Sequence, residues 1–308
     1  MCNLSIIIVS YNTCEMTLAC LESIFKETEQ LDFEVIVLDN NSSDDSAKDI
    51  ADLFPQVKLI ISKDNIGFAA GNNLAVKQAR GEYLLLLNPD TVVLDKAIQK
   101  LLQFAKVNLD ALIWGGRTLF GDGMLNPSSC WKKMTLWNIF CRSFGLAWLL
   151  PNSSFFNTEA YGGWDRTTIR QVDIVSGCFF MIKRELWEKL DGFSPEFFMY
   201  GEEADLCFRA QNSYGAKPLV TPDATIIHYG GASEKVRTDK MVKLLKAKRL
   251  LLKKHWPFWK YRIGMMIYPL YPLNRAVVLR ILGLFNKRFN KEVDVWQEIW
   301  QRRNEWLA

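Results

Sequence analysis

The chain has 308 residues, of which 49% are hydrophobic and 23% are charged, a composition typical of a globular protein that buries a substantial core. The net charge of +4 is too small to indicate a nucleic-acid-binding protein. No run of about 20 uncharged apolar residues is present, which argues against a membrane-spanning helix.

Seven cysteines are scattered along the chain without a CxxC pair. This usage favours a reducing compartment over a disulfide scaffold or a zinc site. The first apolar run follows no basic segment and no small-residue cleavage site, so we predict no signal peptide. We therefore expect a cytoplasmic protein.

Strands and helices alternate along the first 95 residues. Continuous apolar runs predict strands at 4–9, 33–38, 57–61 and 83–87. Apolar residues at helical spacing predict helices at about 15–29 and 68–80. Strands that are apolar throughout are typical of a parallel sheet covered on both faces. The alternation predicts a doubly wound α/β fold with a mostly parallel sheet.

Polar residues follow three of these strands, at the edge where ligands bind in such folds. They are Ser10, Tyr11 and Asn12, then Asp39, Asn40 and Asn41, then Asn88 and Asp90. Because the carboxyl ends of parallel strands meet at one edge, these clusters predict a single ligand site.

Asp39 is a candidate for nucleobase binding. Its carboxylate could accept the imide hydrogen of uracil or thymine while Tyr11 packs on the base. The alternative is that Asp39 caps the next helix. Asp44 is better placed for that cap, which favours ligand binding for Asp39.

Asp90 directly follows a predicted buried strand. A carboxylate there can hold a divalent ion against a diphosphate. Asn88, Pro89 and Asp90 are also ordinary turn residues, so a strand-terminating turn is the alternative. The position at the predicted ligand edge favours metal binding.

Residues 64–73 include Asn65, Gly67 and Asn73 in a loop that enters a helix. Glycines there permit close approach of a phosphate or sugar. The same glycine spacing is common at helix starts, so this signal is weak alone.

The middle of the chain is less regular. Residues 119–123 predict a hairpin turn, and 131–150 is aromatic and partly helical, either an acceptor-facing flap or a packing layer. A strand-like segment at 171–183 leads into a helix at 184–190. A helix ending at Tyr214 and strands around 218–221 and 225–228 follow.

Glu202, Glu203 and Asp205 lie within four residues at a predicted helix start. Paired carboxylates can provide a general base. Acids also favour helix N-termini, and Asp205 could form a helix-surface ion pair with Arg209. His228 ends a short strand before a glycine turn, where metal or phosphate contact competes with a structural role.

Residues 234–308 form a basic, aromatic and helical C-terminal region. Mixed basic and aromatic residues suit the headgroup region of an anionic bilayer. Pro269 and Pro272 predict short helices lying in the interface over about 256–289. A packing layer on the catalytic domain and a homodimer interface are the alternatives.

These residues together resemble the inverting family 2 glycosyltransferases with a GT-A fold, particularly the bacterial rhamnosyltransferase-like branch. The matching stretches are Ile6–Asn12, Val35–Asp44, Asn65–Asn73, Tyr83–Asp90, Ser176–Arg184, Gly192–Phe193, Phe197–Arg209 and His228–Ser233. The resemblance covers about residues 4–256, and its specificity comes from the order of the motifs.

The resemblance implies a role for each matched residue. Tyr11 and Asp39 would hold the nucleobase of a nucleotide-sugar, and Asp90 would hold Mg²⁺ or Mn²⁺ on its diphosphate, with His228 as a further ligand. The family's acidic motif usually reads Glu-Asp and its second residue is the base, which is Glu203 here. Asn88 stands where the family usually has an aspartate, leaving one firm carboxylate.

The expected function is the transfer of a sugar, with inversion, to a glycan or lipid-linked acceptor in cell-surface polysaccharide biosynthesis. The expected sugar is rhamnose or another hexose, and the expected donor is a dTDP- or UDP-sugar. The nucleotide-binding set is Ser10, Tyr11, Asn12, Asp39, Asn41, Asn65, Gly67 and Asn73. A nucleotidyltransferase and a non-catalytic nucleotide-sugar- or glycan-binding membrane scaffold are the alternatives.

The expected domain division follows the motifs. Residues 1–233 form the catalytic domain, with a nucleotide-sugar half to about 95 and an acceptor half from about 96, and 234–308 form the C-terminal region. The protein is expected at the inner face of the cell membrane as a peripheral protein.

Overall fold

The computed structural model describes residues 3–29, 31–230 and 237–308. Its strands are β1 Leu4–Ser10, β2 Phe33–Asp39, β3 Lys58–Ile61, β4 Tyr83–Leu87, β5 Thr91–Val93, β6 Ile113–Leu119, β7 Leu125–Asn126, β8 Cys130–Trp131, β9 Arg170–Gln171, β10 Ile174–Val175, β11 Phe179–Lys183 and β12 Leu219–His228. The last three residues of the His228–Ser233 motif lie outside the described residues.

The helices are α1 Cys14–Glu27, α2 Ser46–Leu53, α3 Gly67–Val76, α4 Ala97–Val107, α5 Leu136–Ser143, α6 Leu146–Leu149, α7 Arg184–Lys189, α8 Glu202–Tyr214, α9 Arg237–His255, α10 Phe258–Ile267, α11 Leu270–Phe285, α12 Asn290–Gln301 and α13 Arg303–Leu307. Within the described ranges, none of these helices is both long enough and apolar enough to cross a membrane.

The chain divides into two compact units. Unit 1 contains Met1–Trp131 and Asp165–Ser233, and unit 2 contains Lys132–Trp164 and Glu234–Ala308. Unit 2 thus combines a segment from the middle of the chain with the C-terminal region. The division into a catalytic domain at 1–233 and a C-terminal region at 234–308 remains a prediction.

The sheet of unit 1 confirms the predicted α/β fold. Its strand order is β3-β2-β1-β4-β11-β6-β12-β5, with β7 paired to β6 and β9 paired to β12. The first four strands are parallel to one another, β11 reverses direction between β4 and β6, and β12 runs parallel to β6. The sheet is therefore mixed, with most strands in one direction.

The central strands of unit 1 carry its core. Every residue of β1 and β4 is buried, as their continuous apolar sequences predict. Leu21 and Ile24 of α1 and Leu101 of α4 belong to the same core cluster and are fully buried. Each such side chain contributes about 1.5–3 kcal/mol when it leaves water. The residues beyond the strand ends are thereby held on a rigid frame.

Two predicted strand boundaries differ from the structure. The segment predicted as strand-like over 171–183 is three short strands, because a turn at Gly177 and Cys178 separates β10 from β11. The two strands predicted around 218–221 and 225–228 are one strand, β12, whose register shifts between Thr221 and Thr225. Pro222 lies in that shift and has no N–H to donate to a neighbouring strand.

The predicted hairpin after Leu119 is confirmed. Strands β6 and β7 pair antiparallel, with Leu119 opposite Leu125. Phe120 N donates to Met124 O at 2.8 Å and Gly123 N donates to Phe120 O at 2.9 Å, closing the turn.

Unit 2 is helical, as predicted for the C-terminal region. The helix break expected at the prolines occurs between α10 and α11, and Pro272 occupies the first turn of α11, where a missing N–H costs nothing. Trp296, Ile299 and Trp306 of the last two helices are buried. The C-terminal helices therefore have their own apolar core.

Candidate functional site

Two loops at the carboxyl ends of β1 and β2 lie side by side. Ser10 pairs with Asp39 in the parallel register, and Asn40 N donates to Ser10 O at 2.8 Å. Asn12 and Asn41 both adopt left-handed conformations, with φ of 52° and 65°, which asparagine tolerates better than most residues. The predicted convergence of these two polar strand ends is therefore correct.

The first of these loops is tied to the second by side chains. Asn12 Oδ1 accepts from Ser43 N at 2.7 Å, and Asn12 N donates to Ser42 Oγ at 3.0 Å. Ser10 is fully buried, and its hydroxyl lies 3.1 Å from Thr13 Oγ1 and 3.0 Å from Thr17 Oγ1. Ser10 and Asn12 thus have structural contacts, and their nucleotide-binding role remains a prediction.

Asp39 keeps one carboxylate oxygen without a partner. The residue is 2% exposed, and Oδ2 accepts from Ser42 N at 3.0 Å, whereas the buried Oδ1 has no hydrogen-bond partner. A buried carboxylate oxygen without a hydrogen bond lowers stability. At the edge of the sheet where ligands bind, this oxygen is suited to accept a hydrogen bond from a ligand.

Asp44 takes the capping role instead. Its Oδ1 accepts from Ser46 N at 3.1 Å and its Oδ2 accepts from Cys14 N at 3.1 Å, so it binds the first turns of α1 and α2 together. Although burial opposes ionisation, these hydrogen bonds lower the pKa of Asp44. Asp39 is not needed for either cap.

Asn40 has a role that the sequence did not reveal. Its side chain is buried, Oδ1 accepts from Ile66 N at 2.9 Å, and Nδ2 donates to Asn65 Oδ1 at 3.0 Å. Asn65 Oδ1 also accepts from Gly67 N at 3.0 Å. Asn40 therefore fixes the loop before α3 to the end of β2. The only sequence signal was its place beside Asp39.

The glycine loop at 64–73 is fastened to the segment that precedes α8. Gly67 has φ of +83°, and a Cβ there would lie 2.5 Å from Phe198 O, so only glycine fits. Asn73 Oδ1 accepts from Phe193 N at 2.9 Å and its Nδ2 donates to Phe193 O at 2.8 Å. Nucleotide binding by Asn65, Gly67 and Asn73 remains a prediction.

Asn88, Asp90 and His228 come together at the end of β4 and β12. His228 Nε2 lies 3.4 Å from Asp90 Oδ1 and 3.3 Å from Asn88 Nδ2. Asp90 is only 5% exposed. Asn88 Oδ1 and His228 Nδ1 are buried without hydrogen-bond partners. Asp90 and His228, both predicted as candidate metal ligands, thus lie close together although they are far apart in the sequence, and their metal-binding role remains a prediction.

The electrostatics of this cluster favour positive charge. Burial alone would lower the pKa of His228, but Cys178 and Asp90 beside the ring raise the pKa to about 10.

Across the described ranges, no group of three or more His, Cys, Asp and Glu side chains is placed to hold a metal ion.

The acidic residues of α8 differ sharply in their surroundings. Tyr200 and Gly201 lead into the helix with φ of 70° and 88°. Glu202 is 4% exposed, and burial together with the charge of Glu203 raises its pKa well above 4.5. Glu203 is half-buried. Of two neighbouring carboxyl groups, the more exposed one is the better placed to carry negative charge.

The turn at 176–178 connects this acidic pair with the Asp90 cluster. A Cβ on Gly177 would lie 4.0 Å from Glu203 Cβ, so the helix start packs on this turn. On the other side, Asn88 N donates to Cys178 O at 3.2 Å. The structure therefore brings the candidate base and the candidate metal ligands to the same turn.

Asp205 is held by structural contacts. Its Oδ2 accepts from Ser194 Oγ at 2.6 Å and from Arg209 Nε at 2.8 Å. Arg209 also donates to Leu190 O and Gly192 O at 2.6 and 2.7 Å. The predicted pairing with Arg209 is confirmed, but its position on the helix surface is wrong, since Asp205 is fully buried. The assignment of Glu203 as the base, with Glu202 and Asp205 as the alternatives, remains a prediction.

The sequence is similar to known glycosyltransferases. Residues 5–191, more than half of the chain, match the family described as glycosyl transferase family 2. The O-antigen biosynthesis protein RfbC of Myxococcus xanthus is 27% identical over 75% of this chain, and the match covers 18% of that protein. The low-salt glycan biosynthesis hexosyltransferase Agl10 of Haloferax volcanii is 27% identical over 68% of this chain and 62% of its own length.

Solved structures support the same assignment at the level of the fold. The mannosyltransferase PcManGT from Pyrobaculum calidifontis, in complex with GDP-Man and Mn²⁺, superposes with a TM-score of 0.58 at 16% identity, covering 96% of this chain and 84% of that one. The S. aureus TarS fragment in complex with UDP gives a TM-score of 0.53 at 14% identity over 98% and 91%. The predicted GT-A fold with a helical C-terminal part is confirmed, and the chain belongs to glycosyl transferase family 2.

Proposed function

We propose that the chain transfers a sugar, with inversion, from a nucleotide-sugar to a hydroxyl of a glycan or lipid-linked glycan. The observation that carries this proposal is the turn at 176–178, which adjoins both Glu203 and the Asp90 cluster. Polysaccharide biosynthesis fits because RfbC is an O-antigen biosynthesis protein. The proposed donor is dTDP-rhamnose, or another hexose carried by dTDP or UDP.

A divalent cation, Mg²⁺ or Mn²⁺, is part of this proposal, and PcManGT was solved with Mn²⁺. Asp90 and the amide oxygen of Asn88 fit the cation as candidate ligands, because Asn88 Oδ1 is buried without a partner. His228 can join them only after it releases the proton that its raised pKa favours, since an imidazolium cannot bind a cation. Oxygen and imidazole donors suit these ions. When bound, the cation would neutralise charge on the departing diphosphate.

The remaining chemistry belongs to the chain's own residues. Glu203 takes the proton of the acceptor hydroxyl as the oxygen bonds to the anomeric carbon. The bond to the diphosphate breaks on the opposite face, so configuration inverts. Burial and the charge of Glu203 raise the pKa of Glu202, which disfavours a second negative charge beside the base. Asn40 and the caps of α1 and α2 hold the donor loops in place, which lowers the entropic cost of orientation.

This function can be tested by measuring the melting temperature of the protein with a panel of nucleotide-sugars, with and without Mn²⁺. A donor that binds only the folded state raises the melting temperature by mass action. Release of nucleoside diphosphate together with a glycosylated product would exclude a non-catalytic scaffold. A nucleotidyltransferase is disfavoured because Ser10, Tyr11, Asn12 and Thr13 follow β1, where such enzymes typically have a glycine-rich loop with basic residues.

Asp39 should set the nucleobase preference. If its partnerless Oδ1 accepts the imide hydrogen, UDP or dTDP should bind at least tenfold more tightly than GDP, equivalent to ~1.4 kcal/mol. Titration calorimetry measures the three affinities. In Asp39→Ala the preference should fall away, with GDP affinity unchanged. Equal affinity of the unaltered protein for GDP would remove Asp39 from this role.

The C-terminal region is proposed to bind anionic membranes peripherally at the inner face of the cell membrane. Phe258 and Trp259 at the start of α10 are 78% and 62% exposed. Trp256, at the start of the predicted interfacial segment, packs on Gly264 of α10, since a Cβ on Gly264 would lie 2.6 Å from the Trp256 ring.

Replacing Phe258 and Trp259 by serine should therefore weaken sedimentation with anionic vesicles. Point variants are preferable to truncation after His255, which would remove the buried Trp296 and Trp306. Electrostatic binding is screened by salt, whereas aromatic burial is not, so the loss should be largest at high salt. A protein that stays in the supernatant with anionic vesicles at low salt would show that this region is a packing layer or a dimer contact.

A further inference from the structure

Unit 2 contains a sixteen-residue stretch with no charged side chain, residues 143–158. It runs from the end of α5 through α6 and the turns that follow. Five large apolar side chains in it are exposed: Phe144 at 50%, Trp148 at 67%, Leu149 at 63%, Leu150 at 45% and Phe155 at 59%. We name this stretch the apolar loop. Exposed apolar groups concentrated in one segment mark a surface that is covered by something else.

The apolar loop is closed at its base by charged residues on either side. Arg142, immediately before it, and Glu159, immediately after it, form an ion pair of 3.2 Å. Glu159 also pairs with Lys248 of α9 at 2.5 Å. Although burial opposes ionisation, Lys248 and Arg142 hold the pKa of Glu159 at about 2. The two ends of the apolar loop are therefore joined to each other and to α9 by ion pairs.

Backbone polar groups within the apolar loop are satisfied locally. Leu149 N donates to Gly145 O at 2.9 Å, and Leu150 N donates to Leu146 O at 3.0 Å. Asn157 Nδ2 donates to Pro151 O at 2.8 Å, and Ser153 Oγ accepts from Phe156 N at 3.2 Å. A segment that enters lipid must pair these groups internally, because hydrocarbon offers no partner.

A long basic stretch of unit 2 indicates which surface covers the loop. Residues 240–291 contain 14 lysines and arginines and no aspartate or glutamate. Exposed members of this set include Lys253, Lys254, Arg262, Lys287 and Arg288. These side chains belong to the same unit as the loop, and a basic surface repels basic partners, including a second copy of itself, and attracts acidic lipid headgroups.

We propose that the apolar loop inserts into the interfacial region of an anionic bilayer, as a second membrane contact beside α10. Its sixteen residues are too few to cross the hydrocarbon, so it enters one leaflet only. Trp148 sits at the headgroup level, where tryptophan is favoured. This inference rests on the proposed peripheral binding of the C-terminal region and assigns part of it to a segment more than 100 residues earlier in the chain.

The test is sedimentation of the full-length protein with vesicles of phosphatidylglycerol and phosphatidylcholine, and with phosphatidylcholine alone, at low and high salt. The loop variant replaces Trp148, Leu149 and Leu150 by serine. The matched control replaces Leu53, Ile61 and Val107 of unit 1 by serine, because these are exposed to 62%, 64% and 79%. Melting temperatures confirm that both variants are folded.

We expect the loop variant to lose at least tenfold in partition to anionic vesicles, and to lose the binding that resists high salt, while the control is unchanged. An equal loss in both variants, or unchanged binding of the loop variant, overturns the proposal. A loop variant that changes from dimer to monomer by light scattering, with vesicle binding unaltered, shows a second copy as the occupant. Nucleotide-sugar binding, measured in the same samples, should be unaffected, so failure of the transferase function is detected separately.

Discussion

Replacing Glu203 by glutamine is expected to reduce sugar transfer by about 10²- to 10⁴-fold while nucleotide-sugar affinity stays the same. Glutamine keeps the size and position of the side chain but cannot take a proton from the acceptor hydroxyl. Glu203 is less buried than Glu202, and burial raises the pKa of Glu202, so Glu203 is the better placed of the two to act as a base. Nucleoside diphosphate release with acceptor present gives the turnover, and calorimetry gives the donor affinity.

Two neighbouring substitutions are the controls for this variant. The raised pKa of Glu202 favours its neutral form, which glutamine resembles, so activity of Glu202→Gln should remain within about tenfold of the unaltered enzyme. Asp205→Asn breaks a buried ion pair with Arg209 and should instead lower stability, by about 3–5 kcal/mol on the scale of such pairs. If Glu202→Gln abolishes transfer and Glu203→Gln does not, the roles of the two residues are reversed.

The second large effect is expected at Asp90. In the unaltered protein Mn²⁺ should raise nucleoside diphosphate affinity at least tenfold, about 1.4 kcal/mol, and Asp90→Asn should remove that gain. The neutral amide is a weaker ligand for a hard cation than the carboxylate. Asparagine is preferable to alanine because Asp90 is only 5% exposed, and a smaller side chain would leave a gap beside His228.

Calorimetric titrations with and without Mn²⁺ separate the metal effect from direct binding. Metal-free affinity should be the same in both proteins. Asp110→Asn, which removes one exposed carboxylate elsewhere on unit 1, controls for net charge. A full Mn²⁺ effect in Asp90→Asn would show that the cation is held by other residues.

The position of Asp90 could be predicted from the sequence, whereas its contact with His228 could not. The place of Asp90 after β4 was predicted correctly, since a continuous apolar run followed by Asn-Pro-Asp specifies a buried strand and its end. Its neighbour His228 was predicted only as a candidate. The pairing of β12 with β5 brings the two together, and no local pattern encodes that pairing.

The acids of α8 show the same distinction. The sequence predicted that they cluster at a helix start, and in the structure α8 begins at Glu202. Which of them can act as a base depends on burial, and burial depends on the turn at 176–178 and on Ser194 and Arg209. A side chain's solvation is set by distant segments, so three adjacent carboxylates could not be ranked from their order alone.

The sequence by itself determined the α/β alternation, the strand ends and the motif order of the family, because periodicity and turn residues act over a few neighbours. Only the tertiary structure decided the partnerless oxygen of Asp39, the anchoring of the loop before α3 by Asn40, and the joining of residues 132–164 to the C-terminal helices. Those features depend on contacts between segments far apart in the chain. Such contacts are selected by the packing of the whole core, which local sequence patterns do not specify.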